Sequence, residues 1–233
     1  MQFLSSQLQV DGAAIYSPAV LAIYDAWVLG VSNRWLWRCP TSRLLAHYNR
    51  HVSGNHLDVG VGTGYYLHRC RFPAASPRVA LLDVNPHSLR TAARRIARYQ
   101  PEIHQRDVCQ PLSLDSPPFD SIGLMYVLHC LSGAMADKSR VFAHLLPLLR
   151  PGGVLFGATL LGRPLPCSAA ARWLQSRYNA AGIFANQNDD AETLRAALAE
   201  HFEHLTLETH GCVALFSARK ATVGDNRDFA PQM

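Results

Sequence analysis

The sequence predicts an α/β fold of three layers, with helices on both faces of a mostly parallel sheet and a helical cap placed before it. Three observations carry this reading. From about residue 54 onward, short apolar runs alternate with segments of helical period. One run leads into Leu57-Asp58-Val59-Gly60-Val61-Gly62-Thr63-Gly64, an apolar strand followed by glycines at three alternate positions. The next run, Arg78 to Asp83, ends in a carboxylate nineteen residues beyond Gly64.

Residues 1–53 read as the cap. Residues 1–13 carry little pattern. Ser17-Pro18 supplies an N-cap and a first helical position for a helix to about Leu29, with Val20, Leu21, Tyr24, Trp27 and Val28 at helical spacing. A compact segment from Ser32 to Pro40 holds two tryptophans and two arginines, and Thr41 is expected to cap a second helix to about His51.

The core begins with a strand over 55–60, a helix over 64–71, a strand over 78–83 and a helix over 86–99. The Asn85-Pro86 pair starts that second helix well. Strands over 102–106 and 120–127 follow, then a helix over 134–148 and a strand over 153–160. Pro73, Pro77, Pro101, Pro117 and Pro118 fall in the gaps, where a residue without an amide proton costs least. Residues 162–190 interrupt the alternation and include a helix over 168–180, a natural place for a substrate lid. Asp189 or Asp190 caps a helix over 191–201, strands near 204–209 and 212–218 close the fold, and 221–233 form a polar tail. Residues 1–220 thus make one domain.

The glycine stretch implies a ligand. Glycine accepts positive φ and carries no Cβ, so a nucleoside can lie against the main chain, below the free amides of the next helix. Asp83, at the tip of the adjacent strand, is placed to accept from both ribose hydroxyls; the alternative is a helix-capping role. The spacing differs from the dinucleotide fingerprint G-x-G-x-x-G, because Tyr65 stands where its third glycine would fall. A nicotinamide dehydrogenase is therefore disfavoured.

The pattern Asp-x-Gly-x-Gly-x-Gly resembles motif I of the class I S-adenosylmethionine-dependent methyltransferases. The resemblance continues in order through Asp83, Asp107-Val108 and Leu149-Arg150-Pro151-Gly152-Gly153. It implies a Rossmann-like seven-stranded sheet closed by an antiparallel hairpin, and S-adenosylmethionine as cofactor. It also implies cofactor contacts at Asp58, Gly60, Gly62, Gly64, Asp83 and Val84, and at Asp107 and Val108 for adenine. Met125 and Tyr126 would offer backbone acceptors to the methionine amine, and Tyr16, Tyr24 and Arg38 from the cap are candidates for the methionine carboxylate or the acceptor. Ser32–Thr41 and Leu128-His129-Cys130-Leu131 are similar to a small stand-alone bacterial and fungal group.

Methyl transfer from a sulfonium is an in-line displacement that rests mainly on positioning in a dry pocket. His129, just past the fourth strand, is the candidate base, a histidine being suited to proton transfer near neutral pH; the alternative is a satisfied structural residue. The fourth strand lacks the Asn/Asp-Pro-Pro-Tyr/Phe motif of nucleobase amine methylation, which favours a small-molecule acceptor methylated at O, N or C. An RNA or protein methyltransferase and a non-catalytic cofactor-binding protein remain the rivals.

Composition agrees with this reading. The 233 residues are 48% hydrophobic and 17% charged, as in a globular domain. The net charge of +5 is modest and comes mostly from arginine, so nucleic acid is not expected as a partner. Six cysteines show no C-x-x-C pair and no zinc spacing, so no metal is expected and free thiols in a reducing compartment are. No secretion signal and no apolar run of about 18 residues is present, so a cytoplasmic monomer or homodimer is expected.

Overall fold

Four apolar runs become parallel strands that are buried over most of their length, and a fifth parallel strand, Glu102–Gln105, is only partly buried. The computed structural model describes residues 32–163 and 167–222. The strands are β1 (Asn55–Val59), β2 (Arg78–Asp83), β3 (Glu102–Gln105), β4 (Phe119–Met125), β5 (Leu149–Leu160), β6 (Glu203–His210) and β7 (Val213–Arg219). They form one seven-stranded sheet in the order β3-β2-β1-β4-β5-β7-β6. β1 to β5 run parallel, and β7 pairs antiparallel with both β5 and β6. The order reverses between β1 and β4, and such a switch point opens a crevice at the carboxyl ends of the strands.

Two apolar cores separate the three layers. Helices α1 (Thr41–His51), α2 (Tyr65–Arg69), α3 (Pro86–Arg95) and α5 (Ala169–Ala180) cover one face, through Leu44, Tyr48, Leu67, Leu89, Ala92 and Ala171. Helices α4 (Met135–Leu145) and α6 (Ala191–Ala199) cover the other, through Val141, Phe142, Leu145, Leu194 and Leu198. Burying each large apolar side chain among these contributes about 1.5–3 kcal/mol.

Element ends differ from expectation for identifiable reasons. α3 stops at Arg95 and gives way to a short 3-10 turn that ends on Gln100 at φ 49°, directly before Pro101. α4 stops at Leu145 because Pro147 cannot continue it, leaving one 3-10 turn over Leu146–Leu148. Thr41 does not cap α1: Pro40 holds that position, and the Thr41 hydroxyl accepts from Asn33 Nδ2 at 3.0 Å. Of the two aspartates before α6, Asp190 is the cap, accepting from the Thr193 amide at 2.8 Å.

The cysteine expectation is corrected at two positions. Cys167, at the start of the insert, is disulfide-bonded to Cys212, in the turn between β6 and β7, across a separation of 45 residues. Chain return brings the two Cα atoms to 6.0 Å, a closeness that spacing along the sequence does not reveal. Cys39, Cys70, Cys109 and Cys130 are free. Closing a loop of this length contributes about 2–4 kcal/mol, largely by restricting the unfolded chain. Cys212→Ser should therefore lower the urea midpoint to that of wild-type protein held in reductant, and reductant should then have no further effect on the variant.

Tyr16, the expected cap helix to about Leu29 with Tyr24, and residues 223–233 of the expected tail lie outside the described residues. No helix among the described residues is long and apolar enough to cross a membrane.

Candidate active site

The crevice floor is the turn after β1. Gly60, Gly62 and Gly64 all have positive φ, at 68°, 51° and 71°. Their reasons differ. A Cβ on Gly60 would stand 2.3 Å from Val127 Cγ2, and one on Gly64 would stand 2.9 Å from the Ala92 backbone, so both permit close packing. A Cβ on Gly62 would meet nothing within 4 Å: there the bare main chain faces open space, which is the cradle a ligand needs.

Asp83 closes one side. Its carboxylate accepts from the Asn85 amide at 2.8 Å and from the amides of Gly62 and Val61, so the β2 tip and the glycine turn are tied together. Burial pushes its carboxyl up to about 6, against the pull of those three amides and with a further push from Asp58. Capping of α3 falls to Asn85, whose side chain accepts from the His87 amide, so Asp83 is not needed for it. Val84 beside it is 49% exposed, an apolar surface at the mouth of the crevice.

Asp58 is buried, and its Oδ1 accepts from the Tyr48 hydroxyl of α1 at 3.0 Å. Asp107 makes a local turn by accepting from the Cys109 amide at 2.9 Å. Val108 is buried, and its carbonyl pairs with His144 Nδ1 at 3.0 Å. Met125 lies at the end of β4, paired in register with Ala158. Tyr126 follows it in the left-handed region at φ 60°, unusual for a tyrosine and a cost of about 1–2 kcal/mol. Its amide donates to the Ala158 carbonyl at 2.7 Å, and its hydroxyl donates to Asn33 Oδ1 at 2.9 Å, joining the β4 end to the cap segment. A strained, doubly anchored residue beside a ligand crevice is where such strain is commonly held.

Arg38 is exposed, at φ 54°, against the β6–β7 turn, where a Cβ on Gly211 would come within 2.5 Å of its own. Of the two tryptophans, Trp37 anchors the cap segment: it is buried, its carbonyl accepts from the Cys212 amide, and its ring packs 6.4 Å from Phe184. Trp35 is 70% exposed, with the Arg34 guanidinium over its ring.

The geometry at His129 argues against the expected base. The ring is buried, and its Nδ1 accepts from the Leu160 amide at 3.3 Å beside the Thr159 hydroxyl. In a neutral imidazole the proton then sits on Nε2, so neither nitrogen offers a lone pair. Burial, aided by the charge of Lys138, pulls its pKa down to about 3. The rings of Tyr126 and Phe184 meet it edge-on at 5.6 and 4.7 Å. His129 packs as a buried residue between the end of β5 and Phe184.

The sequence reading missed Lys138. Its Nζ is fully buried, 2.5 Å from Asp189 Oδ2 and 2.8 Å from the Ala185 carbonyl. This pair fastens α4 to the 183–190 segment, which carries Phe184 to His129 and whose Ala185 amide donates to the His129 carbonyl. Burial pushes the Asp189 carboxyl above its usual range while Lys138 pulls it back. Lysine is scarce in this arginine-rich chain, which makes Lys138 a hint, though not one that names its partner.

Comparison with known proteins fits this site. A profile of the methyltransferase domain matches residues 57–155, the span from β1 into β5. The chain is 38% identical over 215 residues to demethylluteothin O-methyltransferase of Streptomyces thioluteus, covering 92% of this chain and 94% of that one. It is also 38% identical over 211 residues to the physcion biosynthesis cluster O-methyltransferase of Aspergillus chevalieri, covering 90% and 95%. The chain belongs to the class I S-adenosylmethionine-dependent methyltransferases. Among solved structures, the N-methyltransferase NodS of Bradyrhizobium japonicum WM9, in complex with S-adenosyl-L-homocysteine, shares this methyltransferase's fold at a TM-score of 0.62. It is 19% identical, with 90% of this chain and 98% of that one covered. The open Gly62 cradle and the carboxylate beside it fit the adenosyl group that this family binds.

Proposed function

We propose that this methyltransferase moves the methyl group of S-adenosylmethionine onto a hydroxyl oxygen of a small metabolite. The observation that carries the reading is the Gly62 cradle with the Asp83 carboxylate beside it, in a chain similar along nine-tenths of its length to two O-methyltransferases. When bound, the cofactor supplies an electrophilic methyl on a sulfonium. The chain's own residues hold and shield it. Asp83 accepts from the ribose hydroxyls, Val84 covers the adenine, and Asp107 with the Val108 amide takes its edge. Asp58 and the backbone at Met125 and Tyr126 take the methionine amine.

On the acceptor side the support is apolar and aromatic. Phe184, Tyr126 and the His129 ring make a dry wall whose task is to hold the nucleophile in line, worth up to about 7–11 kcal/mol of barrier in well-oriented systems. His129 keeps the wall in register and takes no proton. The described part of the insert, 167–190, covers this side as the lid, with Phe184 and Ala185 against His129.

Incubation with methyl-labelled S-adenosylmethionine and a panel of hydroxylated small molecules tests the reading, with products located by mass and by the methoxy proton resonance. Label in a methoxy group is the expected result. Label in an N- or C-methyl group would overturn the oxygen assignment, and label in RNA or protein fractions would overturn the small-molecule one. Tight cofactor binding without product from any fraction would favour a non-catalytic role.

A further inference from the structure

We propose that Tyr48 is a positioning residue for the amino-acid end of the methyl donor, acting through Asp58 at the end of a buried hydrogen-bond chain. The inference rests on the donor site proposed above and goes beyond it. Tyr48, His56 and Ser121 are fully buried, and Asp58 nearly so. Tyr48 Oη lies 3.0 Å from Asp58 Oδ1 and 2.8 Å from His56 Nε2; His56 Nδ1 lies 2.8 Å from Ser121 Oγ, which is 3.0 Å from the Ser53 amide.

The ends of this chain fix its direction. A carboxylate only accepts, so the single Tyr48 proton goes to Asp58. Tyr48 Oη must then accept from His56, which places the ring proton on Nε2 and leaves Nδ1 as acceptor. Ser121 therefore donates to Nδ1 while its oxygen accepts from the Ser53 amide. The Ser53 hydroxyl lies 2.8 Å from Ser121 Oγ and 2.9 Å from the Asn55 carbonyl, and its one proton goes to one of these two acceptors. From Ser121 through His56 and Tyr48, each proton then has one acceptor, with His56 neutral and the Asp58 carboxylate at the end. Burial beside the Asp58 carboxylate pushes the Tyr48 hydroxyl well above its usual range, which keeps it a donor.

Packing leaves the carboxylate little freedom. Gly123 of β4 sits in register opposite Asp58, and a Cβ there would come within 2.9 Å of Oδ1 and 3.2 Å of the His56 ring. Tyr48 itself is stacked on Tyr66 at 5.6 Å and meets Phe156 edge-on at 5.2 Å. With Oδ1 committed to Tyr48, the carboxylate plane is set, and its remaining 9% exposure is the surface that an ammonium group can reach. Asp58 is only two residues from Gly60, so this orientation is set at the crevice floor. A satisfied chain of this kind orients a group more sharply than one bond does.

The test compares two ligands. S-adenosylhomocysteine carries the amino-acid end, whereas 5′-methylthioadenosine has the same nucleoside and sulfur without it. By calorimetry, Tyr48→Phe should raise the dissociation constant for S-adenosylhomocysteine about tenfold, the size of one lost hydrogen bond to a charged group, and leave 5′-methylthioadenosine unchanged. In turnover the same variant should raise KM for S-adenosylmethionine with kcat nearly kept. A general loosening of the turn would weaken both ligands alike and would overturn the inference, as would wild-type affinity for both. Should Tyr48→Phe fail to fold, Ser121→Ala carries the test: a smaller loss confined to S-adenosylhomocysteine supports the chain, and equal behaviour toward both ligands refutes it. Wild-type protein that binds neither ligand would sink the donor site itself, and this inference with it.

Discussion

Asp83→Ala is expected to weaken S-adenosylmethionine binding by at least about a hundredfold while the folded protein survives. Two hydrogen bonds from ribose hydroxyls to a carboxylate are worth about 1.5–3 kcal/mol each, and both vanish together. The fold survives because the burial that raises this carboxyl to about 6 opposes folding at neutral pH. The folded value lies above the unfolded 3.8, so the Asp83 contribution to stability is full below about pH 4 and is lost as pH rises through about 6. The wild-type protein therefore carries this charge at a cost to its own stability, and the ligand draws on it. Affinity should have the opposite pH dependence: constant above about pH 7, then falling as pH drops through about 6 and the carboxyl protonates. Asp83→Asn should bind weakly at every pH and show no such inflection. Calorimetric titration from about pH 5 to about pH 8, spanning the raised carboxyl, reads both results, and wild-type affinity in Asp83→Ala would refute the ribose assignment.

Lys138→Met is expected to cost about 3–5 kcal/mol of stability, because it breaks a fully buried ion pair from one side. The substitution leaves the Asp189 carboxylate buried with no counter-charge, and it leaves the Ala185 carbonyl without its donor. Part of the loss should return in Lys138→Met combined with Asp189→Leu, because an apolar pair of similar volume has no charge to desolvate. A urea series on the two single variants and the double variant measures the coupling. The same variants should lose turnover beyond what stability explains, since the fastened segment carries Phe184 against His129. A double variant less stable than either single one would show that the pair is not the reason for the loss.

The parallel half of the fold was legible because its signals are local. An apolar run bounded by proline or glycine cannot do much other than form a buried strand. β2 begins and ends at the expected residues, and β1 ends one residue before the expected position, where Gly60 turns the chain at φ 68°. The cofactor crevice was legible for a related reason: three alternate glycines after a strand are costly unless the backbone must bend or lie bare. The structure divides their roles, two for packing and Gly62 for the ligand.

What escaped the sequence reading depends on residues distant in the chain. His56 looked like any other strand histidine, yet its neighbours are Tyr48 from a helix and Ser121 from a strand 65 residues on. His129 sat in a promising place, but its lone pair belongs to Leu160, across the β4–β5 junction. Cys167 and Cys212, Lys138 and Asp189 are pairs of the same kind.

By itself, the sequence determined the layer order, the strand that ends in a glycine turn, and the carboxylate at the neighbouring strand tip. Backbone sterics and apolar periodicity act over a few residues and are written there directly. Only the tertiary structure decided which polar groups are paired, which tautomer His129 adopts and which way the Asp58 carboxylate faces. Those outcomes depend on burial and on partners that chain return brings within hydrogen-bond reach, and neither quantity exists until the sheet has closed.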